Sequence, residues 1–224
     1  MGQRVEFPSN GHTCQGYLAA PETGSGPAIV IIQEWWGIVA HIEDLVNRFA
    51  SAGFLAIAPD LYHGKTTKSP DEAGKLLMEL DVERAGNEIA GAGAYLLQQP
   101  ECSSKKYGVV GFCMGGALAQ YAAANDAEHV GAAVSFYGGF KKVHPDWENL
   151  QAPILLIYGE NDKDITAQGR ELHEKLQKLG KQSELVVYPN ASHAFFNDTR
   201  PEVYNAEAAT DAWRRTLELF RRAL

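Results

Sequence analysis

The chain has 224 residues, of which 45% are hydrophobic and 21% charged, and a formal net charge of −8. That is enough apolar material to bury a core without help from disulfides or metals. The acidic balance argues against phosphate-backbone binding, which needs a basic face, and gives no attraction to an anionic membrane surface.

The first residues, "MGQRVEFPSNGH", carry no apolar signal core, and Glu6 sits where a myristoylation pattern needs Ser or Thr. "RVEFPS" and "TCQGYLAA" read as a hairpin turning at Asn10-Gly11. "AIVIIQ" (28–33) is a short β-branched run suited to a buried parallel strand. A helix over "HIEDLVNRFASAG" ends at Gly53, and "FLAIAPD" (54–60) is the next strand. "LYHGKTTKSPD" (61–71) is the most loop-like insert, and one or two helices interrupted by glycines fill 71–99. "KYGVVGF" is a strand that runs straight into a helix over 114–125. Two more strands, "VGAAVSFYG" and "PILLIYGE", precede a helix over "TAQGRELHEKLQKLG" with Gly180 at its end. "SELVVYP" is the last strand and 201–222 the last helix. This alternation predicts an α/β fold, a mostly parallel sheet with helices on both faces, as one domain over residues 1–224.

No apolar run has bilayer length. Cys14, Cys102 and Cys113 are too far apart for a disulfide framework or a CxxC zinc pattern, and the seven histidines form no local HxxxH pair. A cytoplasmic protein in a reducing compartment is expected, with no nucleic-acid or membrane partner, as a monomer or small homo-oligomer. "GAGAYL" (91–96) lies in a helical pattern without a preceding strand or third glycine, which argues against a dinucleotide site.

Ligands of open α/β sheets bind at the carboxyl ends of strands, and four reactive side chains fall there: Glu34, Cys113, Asp162 and His193. Gly111-Phe112-Cys113-Met114-Gly115 has the G-x-S-x-G form with Cys for Ser, a strained strand-to-helix turn that lifts a nucleophile above the sheet. A sulfur at a helix N-terminus is favoured as thiolate, and the Met114 N–H points toward an oxyanion. A buried structural cysteine in a Gly-rich turn is the competing reading. Asp162 in "YGENDKDIT" is a candidate orienting acid, against a plain turn or helix-cap aspartate. Asp164 is its rival and stands further from the strand. His193 in "YPNASHAFFN" is a candidate base, against an ordinary loop histidine. The chain order nucleophile, acid, base matches the order of α/β-hydrolase triads. In such a triad Cys113 attacks an acyl carbon, His193 moves the proton and Asp162 orients the imidazole. Glu34, between an apolar strand and two tryptophans, has either a raised pKa or a turn to solvent.

The motifs "QEWWG", "GFCMGGALA", "YGENDKDIT" and "NASHAFFN", in that order over nearly the whole chain, resemble the dienelactone hydrolase family. The resemblance implies an eight-stranded α/β-hydrolase sheet without a large cap domain. It also implies a carboxylic-ester hydrolase of carboxymethylenebutenolidase type, acting on a small ester or lactone through an acyl-enzyme thioester, with no metal or organic cofactor. It assigns the triad to Cys113, Asp162 and His193, the holding and release of the resting thiol to Glu34, and the oxyanion hole to the N–H groups of Trp35 and Met114. Family enzymes grip a substrate carboxylate with two arginines. Here Asn197 stands four residues after His193, the region after Asp60 has lysines only, and Arg200 and Arg84 are the remaining arginines within reach. Trp36, Tyr62, Phe195 and Asn197 are expected to meet substrate, with Trp35 and Phe196 adding apolar wall. The alternative functions are a non-catalytic binding or signalling protein on a hydrolase scaffold, and a thiol redox sensor, which lacks a nearby resolving cysteine.

Overall fold

The computed structural model describes residues 2–9 and 11–224. Strands β1 (Gln3–Ser9) and β2 (His12–Ala19) form the expected hairpin; of its Asn10-Gly11 turn, Asn10 lies outside the described residues. Then follow β3 (Ala28–Ile32), α1 (Ala40–Ser51), β4 (Leu55–Pro59), α2 (Pro70–Glu79), α3 (Val82–Leu97), β5 (Tyr107–Phe112) and α4 (Met114–Asn125). The chain closes with β6 (Val130–Phe136), β7 (Ile154–Gly159), α5 (Lys163–Lys178), β8 (Ser183–Tyr188) and α6 (Ala206–Ala223). The sheet has eight strands in the order β1-β2-β4-β3-β5-β6-β7-β8. Among the described residues only the β1–β2 and β2–β4 pairings are antiparallel. This is the α/β-hydrolase architecture. No helix among the described residues is long and apolar enough to cross a membrane.

Burial explains the composition of the central strands. Every residue of β3, β4, β5 and β7 is buried, so these segments are apolar throughout instead of alternating. The helix α4 is buried almost all round, and its alanines and glycines let it approach the sheet closely.

Three boundaries differ from the sequence reading. The 71–99 stretch does break into two helices, but at Leu80-Asp81, where the Asp81 carboxylate accepts from Arg84 N–H at 3.0 Å and starts α3. Gly86 and Gly93 lie inside α3, where Tyr121 and Tyr107 occupy the space a side chain would need. The last helix begins at Ala206 instead of 201, because the Asn205 side chain caps it through Ala208 N–H at 3.1 Å. The helix α5 begins three residues earlier than expected, with Asp162 at its cap position.

Candidate active site

Cys113 joins β5 to α4 with φ 57° and ψ −117°, in the left-handed region that a non-glycine residue avoids. The turn closes because its two glycines have no side chains. A Cβ on Gly111 would lie 1.9 Å from the Gly115 carbonyl oxygen, and one on Gly115 2.4 Å from the Ile32 carbonyl oxygen. The Cys113 N–H donates to the Phe136 carbonyl at 3.1 Å, and its own carbonyl accepts from Gly116 at 3.0 Å. The half-buried thiol is left at the positive end of a three-turn helix.

Asp162 occupies the cap position of α5 but makes no capping bond. Its carboxylate turns instead to His193, with Oδ2 2.5 Å from Nδ1. The two loops are stitched together: Asn161 N–H donates to the Ala191 carbonyl and Glu160 N–H to that of Tyr188, both at 2.9 Å. Burial pulls the His193 pKa down. The hydrogen bond to Asp162, the influence of Cys113 and the Asp162 charge outweigh burial and lift it to about 10. The rival acid, Asp164, is exposed and makes no side-chain bond to His193 among the described residues. The structure therefore pairs His193 with Asp162 and leaves Asp164 outside.

Glu34 is 2% exposed, so it is not a solvent-facing strand end. Burial raises its pKa; the Asn197 hydrogen bond and the charges of His193 and Arg200 oppose that rise. The Trp35 and Met114 N–H groups find no acceptor among the described residues, which leaves two donors free beside the Cys113 turn. The Trp35-Trp36 segment is held from the other side by Thr67, whose N–H donates to the Trp36 carbonyl at 3.1 Å. Both indoles remain half-buried, in an edge-on pair 4.9 Å apart.

The expected substrate wall divides. Tyr62 is nearly buried and donates to the Met114 sulfur at 3.3 Å; burial and the Cys113 charge push its pKa up. Trp36 lines a cavity of about 590 Å³ together with His41, Lys68, Asn197 and Arg200. Burial lowers the His41 pKa to about 4 against the pull of the Asp198 charge, so the imidazole on this wall is neutral at pH 7. Asn197 is 2% exposed and its amide donates to Glu34 Oε2 at 3.0 Å, so its donor is directed at the carboxyl. Phe195 does not meet substrate. It has no accessible surface and packs in the core against Tyr137 and Tyr188, with ring centroids 5.7 and 5.4 Å away. Phe196 likewise packs against Phe136 at 4.9 Å. Arg84 is held by Glu88 at 2.8 Å, beside a separate, smaller cavity, and His63 shares the same carboxylate.

In the sequence Tyr137 is only part of the strand pattern "VGAAVSFYG". It follows β6 on the same rim, with φ 40°, fully buried, its ring centroid 4.9 Å from that of His193. The strand-end rule that selected the other four residues applies to it equally.

Comparison with known proteins adds a family to this geometry. A sequence model described as "Dienelactone hydrolase family" matches residues 14–224. "Protein usf" of Aquifex pyrophilus is 38% identical over 231 residues, covering 100% of both chains. "Putative carboxymethylenebutenolidase" of Aquifex aeolicus is 35% identical over 228 residues, covering 99% of this chain and 98% of the relative. Among solved structures, "Putative Dienelactone Hydrolase from Klebsiella pneumoniae subsp. pneumoniae" superposes with a TM-score of 0.86 at 29% identity, covering 99% of this chain and 98% of that one.

Proposed function

Because the chain belongs to the dienelactone hydrolase family, a family of hydrolases, we propose that it cleaves small carboxylic esters or lactones with Cys113 as nucleophile, His193 as proton carrier and Asp162 as orienting acid. The observation that carries this reading is the 2.5 Å contact between Asp162 Oδ2 and His193 Nδ1, made between loops on the same rim as the strained Cys113 turn. In this scheme the imidazole takes the thiol proton as the sulfur attacks, so that it holds one to give to the leaving group.

In the first half-reaction the Cys113 sulfur forms a bond to the acyl carbon. The carbonyl oxygen becomes an oxyanion facing the N–H groups of Trp35 and Met114. When the intermediate collapses, the C–O bond to the leaving group breaks and His193 gives its proton to the departing alkoxide. In the second half-reaction His193 takes a proton from water, the hydroxide adds to the thioester, and the C–S bond breaks to release acid and regenerate the thiol. Fixed backbone donors suit this chemistry because they need no reorganisation as charge develops. The cavity at Trp36 is lined by Asn197, the donor to Glu34, and by Arg200, but not by Cys113 or His193.

Hydrolysis of a chromogenic aryl acetate by wild type and Cys113→Ala tests the reading. A loss of about 10³-fold or more in kcat/KM is expected. Intact-mass detection of an acyl adduct on wild type alone adds direct support. Wild-type rates in the alanine variant would refute the nucleophile.

A further inference from the structure

Directly after β6 stands a residue that neither its backbone nor its hydroxyl explains. Tyr137 has φ 40°, a conformation that glycine or asparagine adopts at lower cost. Its side chain is fully buried, yet the hydroxyl has no hydrogen-bond partner among the described residues. Strain of this kind persists only where the surroundings impose it, and a buried phenol oxygen without a partner costs stability. What remains to account for the residue is its ring.

The backbone around Tyr137 is bonded to both neighbours in the sheet. The Tyr137 N–H donates to the Ile157 carbonyl of β7 at 2.7 Å, and the preceding Phe136 carbonyl accepts the Cys113 N–H at 3.1 Å. The following carbonyl, that of Gly138, accepts from the Tyr158 hydroxyl at 3.1 Å. Beneath it the Gln120 amide of α4 donates to Ser135 Oγ of β6 at 2.9 Å. Residues 136–138 are thus tied to the nucleophile turn on one side and to the strand that leads to Asp162 on the other. The phenylalanines around the Tyr137 ring, Phe112, Phe136 and Phe195, have centroids 5.7–6.3 Å away. His193 lies nearer, at 4.9 Å, with the two planes inclined by 53°.

The imidazole needs such a support. The 2.5 Å contact with Asp162 fixes one atom, Nδ1, and leaves the ring free to swing about it. The loop that carries His193 has left-handed residues on both sides, Asn190 at φ 57° and Ala194 at φ 62°, and the imidazole is 37% exposed. A rigid aromatic ring against the imidazole limits that swing, and aromatic contacts are favourable beyond the area they bury.

We propose that Tyr137 is a positioning residue for His193: its ring, locked by the backbone bonds of residues 136–138, packs on the imidazole and holds the Nδ1 end on Asp162. The assignment rests on the reading of His193 as the proton carrier. The hydroxyl has no part in it.

The test separates ring from hydroxyl. Tyr137→Phe keeps the ring and removes an oxygen without a partner, so kcat and KM should stay within about twofold of wild type and the protein should melt no lower. Tyr137→Leu keeps apolar bulk and removes the flat face. Its kcat for an aryl acetate should fall about 10- to 100-fold with KM changed less than about threefold, the scale of a misplaced catalytic group. The low-field proton resonance of His193 Nδ1–H, assigned by its absence from His193→Ala, reads the imidazole without turnover. It should be sharp in wild type and Tyr137→Phe and broadened by solvent exchange in Tyr137→Leu. Tyr137→Met, also without a flat face, serves where the leucine variant does not fold. A loss above about tenfold in Tyr137→Phe, wild-type kcat in a folded Tyr137→Leu, or an Nδ1 signal that the leucine leaves unchanged would overturn the assignment. The two readings fail separately. An active Cys113→Ala removes the acyl-transfer scheme and leaves the resonance result standing, whereas an unchanged Nδ1 signal in Tyr137→Leu with an inactive Cys113→Ala removes only the role of Tyr137.

Discussion

Asp162→Asn isolates the orienting charge with little change in shape. In the folded protein the carboxylate lies 2.5 Å from His193 Nδ1 and helps hold the imidazole pKa at about 10. An asparagine at this position removes the charge and offers Nδ1 either an amide oxygen or an amide nitrogen, so the ring can settle in the wrong tautomer. In a serine-protease triad the equivalent change costs about 10⁴-fold in rate. For this cysteine site a loss of about 10³- to 10⁴-fold in kcat/KM is expected, or about 4–5.5 kcal/mol of transition-state stabilisation. Helix content should be unchanged, because Asp162 makes no capping bond to α5 that the substitution would remove. Ester hydrolysis and iodoacetamide alkylation of Cys113 near pH 7 are measured together, with circular dichroism as the control for folding. Both rates should fall in a protein of unchanged helix content. Asp164→Asn, at an exposed position, should leave both within about twofold. If Asp162→Asn retained activity within about tenfold of wild type, or Asp164→Asn were the damaging change, the reasoning from the 2.5 Å contact would be wrong.

A Cβ at Gly111 would strike backbone atoms of Gly115, so Gly111→Ala should cost about 3 kcal/mol or more in urea unfolding. Gly180→Ala, at φ 69° with open space around it, should cost only about 1 kcal/mol; equal losses would discredit the close approach at the turn. The pH dependence follows from the His193 pKa of about 10, which stands above the ordinary 6.5. As pH rises, the unfolded chain loses this proton first, so the stability due to His193 pairing is fully present below about pH 6.5 and disappears as pH passes through about 10. Thermal melts of wild type and His193→Ala should therefore differ most at the acid end of that window and converge toward its alkaline end; a constant gap would contradict the pairing. Substrate charge offers a further check. Arg200 is partly exposed and paired with Glu202 at 2.9 Å, and Lys68 is exposed. Arg200→Ala should change the preference between an aryl ester and its carboxylated analogue by less than about fivefold, measured as a ratio of kcat/KM. A larger change would show a strong carboxylate grip.

Much of this was legible in the sequence because parallel-strand architecture has an unambiguous pattern. Fully buried strands such as "AIVII" and "YGVVGF" are continuous apolar runs, and Cys113 between Gly111 and Gly115 marks the tight turn between strand and helix. Contacts between distant segments were not legible. Nothing local distinguishes Asp162 as a helix cap from Asp162 as a partner of His193, because that choice depends on β7 and β8 lying side by side. Phe195 illustrates the opposite error. Its place two residues after His193 suggested a pocket wall, but Ala194, with φ 62°, reverses the chain and sends the ring into the core. Asn197 looked like a lost arginine, and only the packed structure shows its amide on Glu34.

The backbone outliers connect these cases. Among the described residues five non-glycine residues have positive φ: His63, Cys113, Tyr137, Asn190 and Ala194. All follow the carboxyl ends of strands β4, β5, β6 or β8, on the rim that carries the candidate chemistry. Each such conformation costs about 1–3 kcal/mol outside glycine, somewhat less for asparagine. Strain so distributed persists only where the surroundings over-determine the backbone, and here β3, β4, β5 and β7 are buried along their whole length beneath it. The rigid sheet thus lets short loops hold thiol, imidazole and carboxyl in geometries those loops would not adopt alone. A substitution that loosens the sheet far from the rim should accordingly reduce catalysis before it unfolds the chain, because the strained turns relax first.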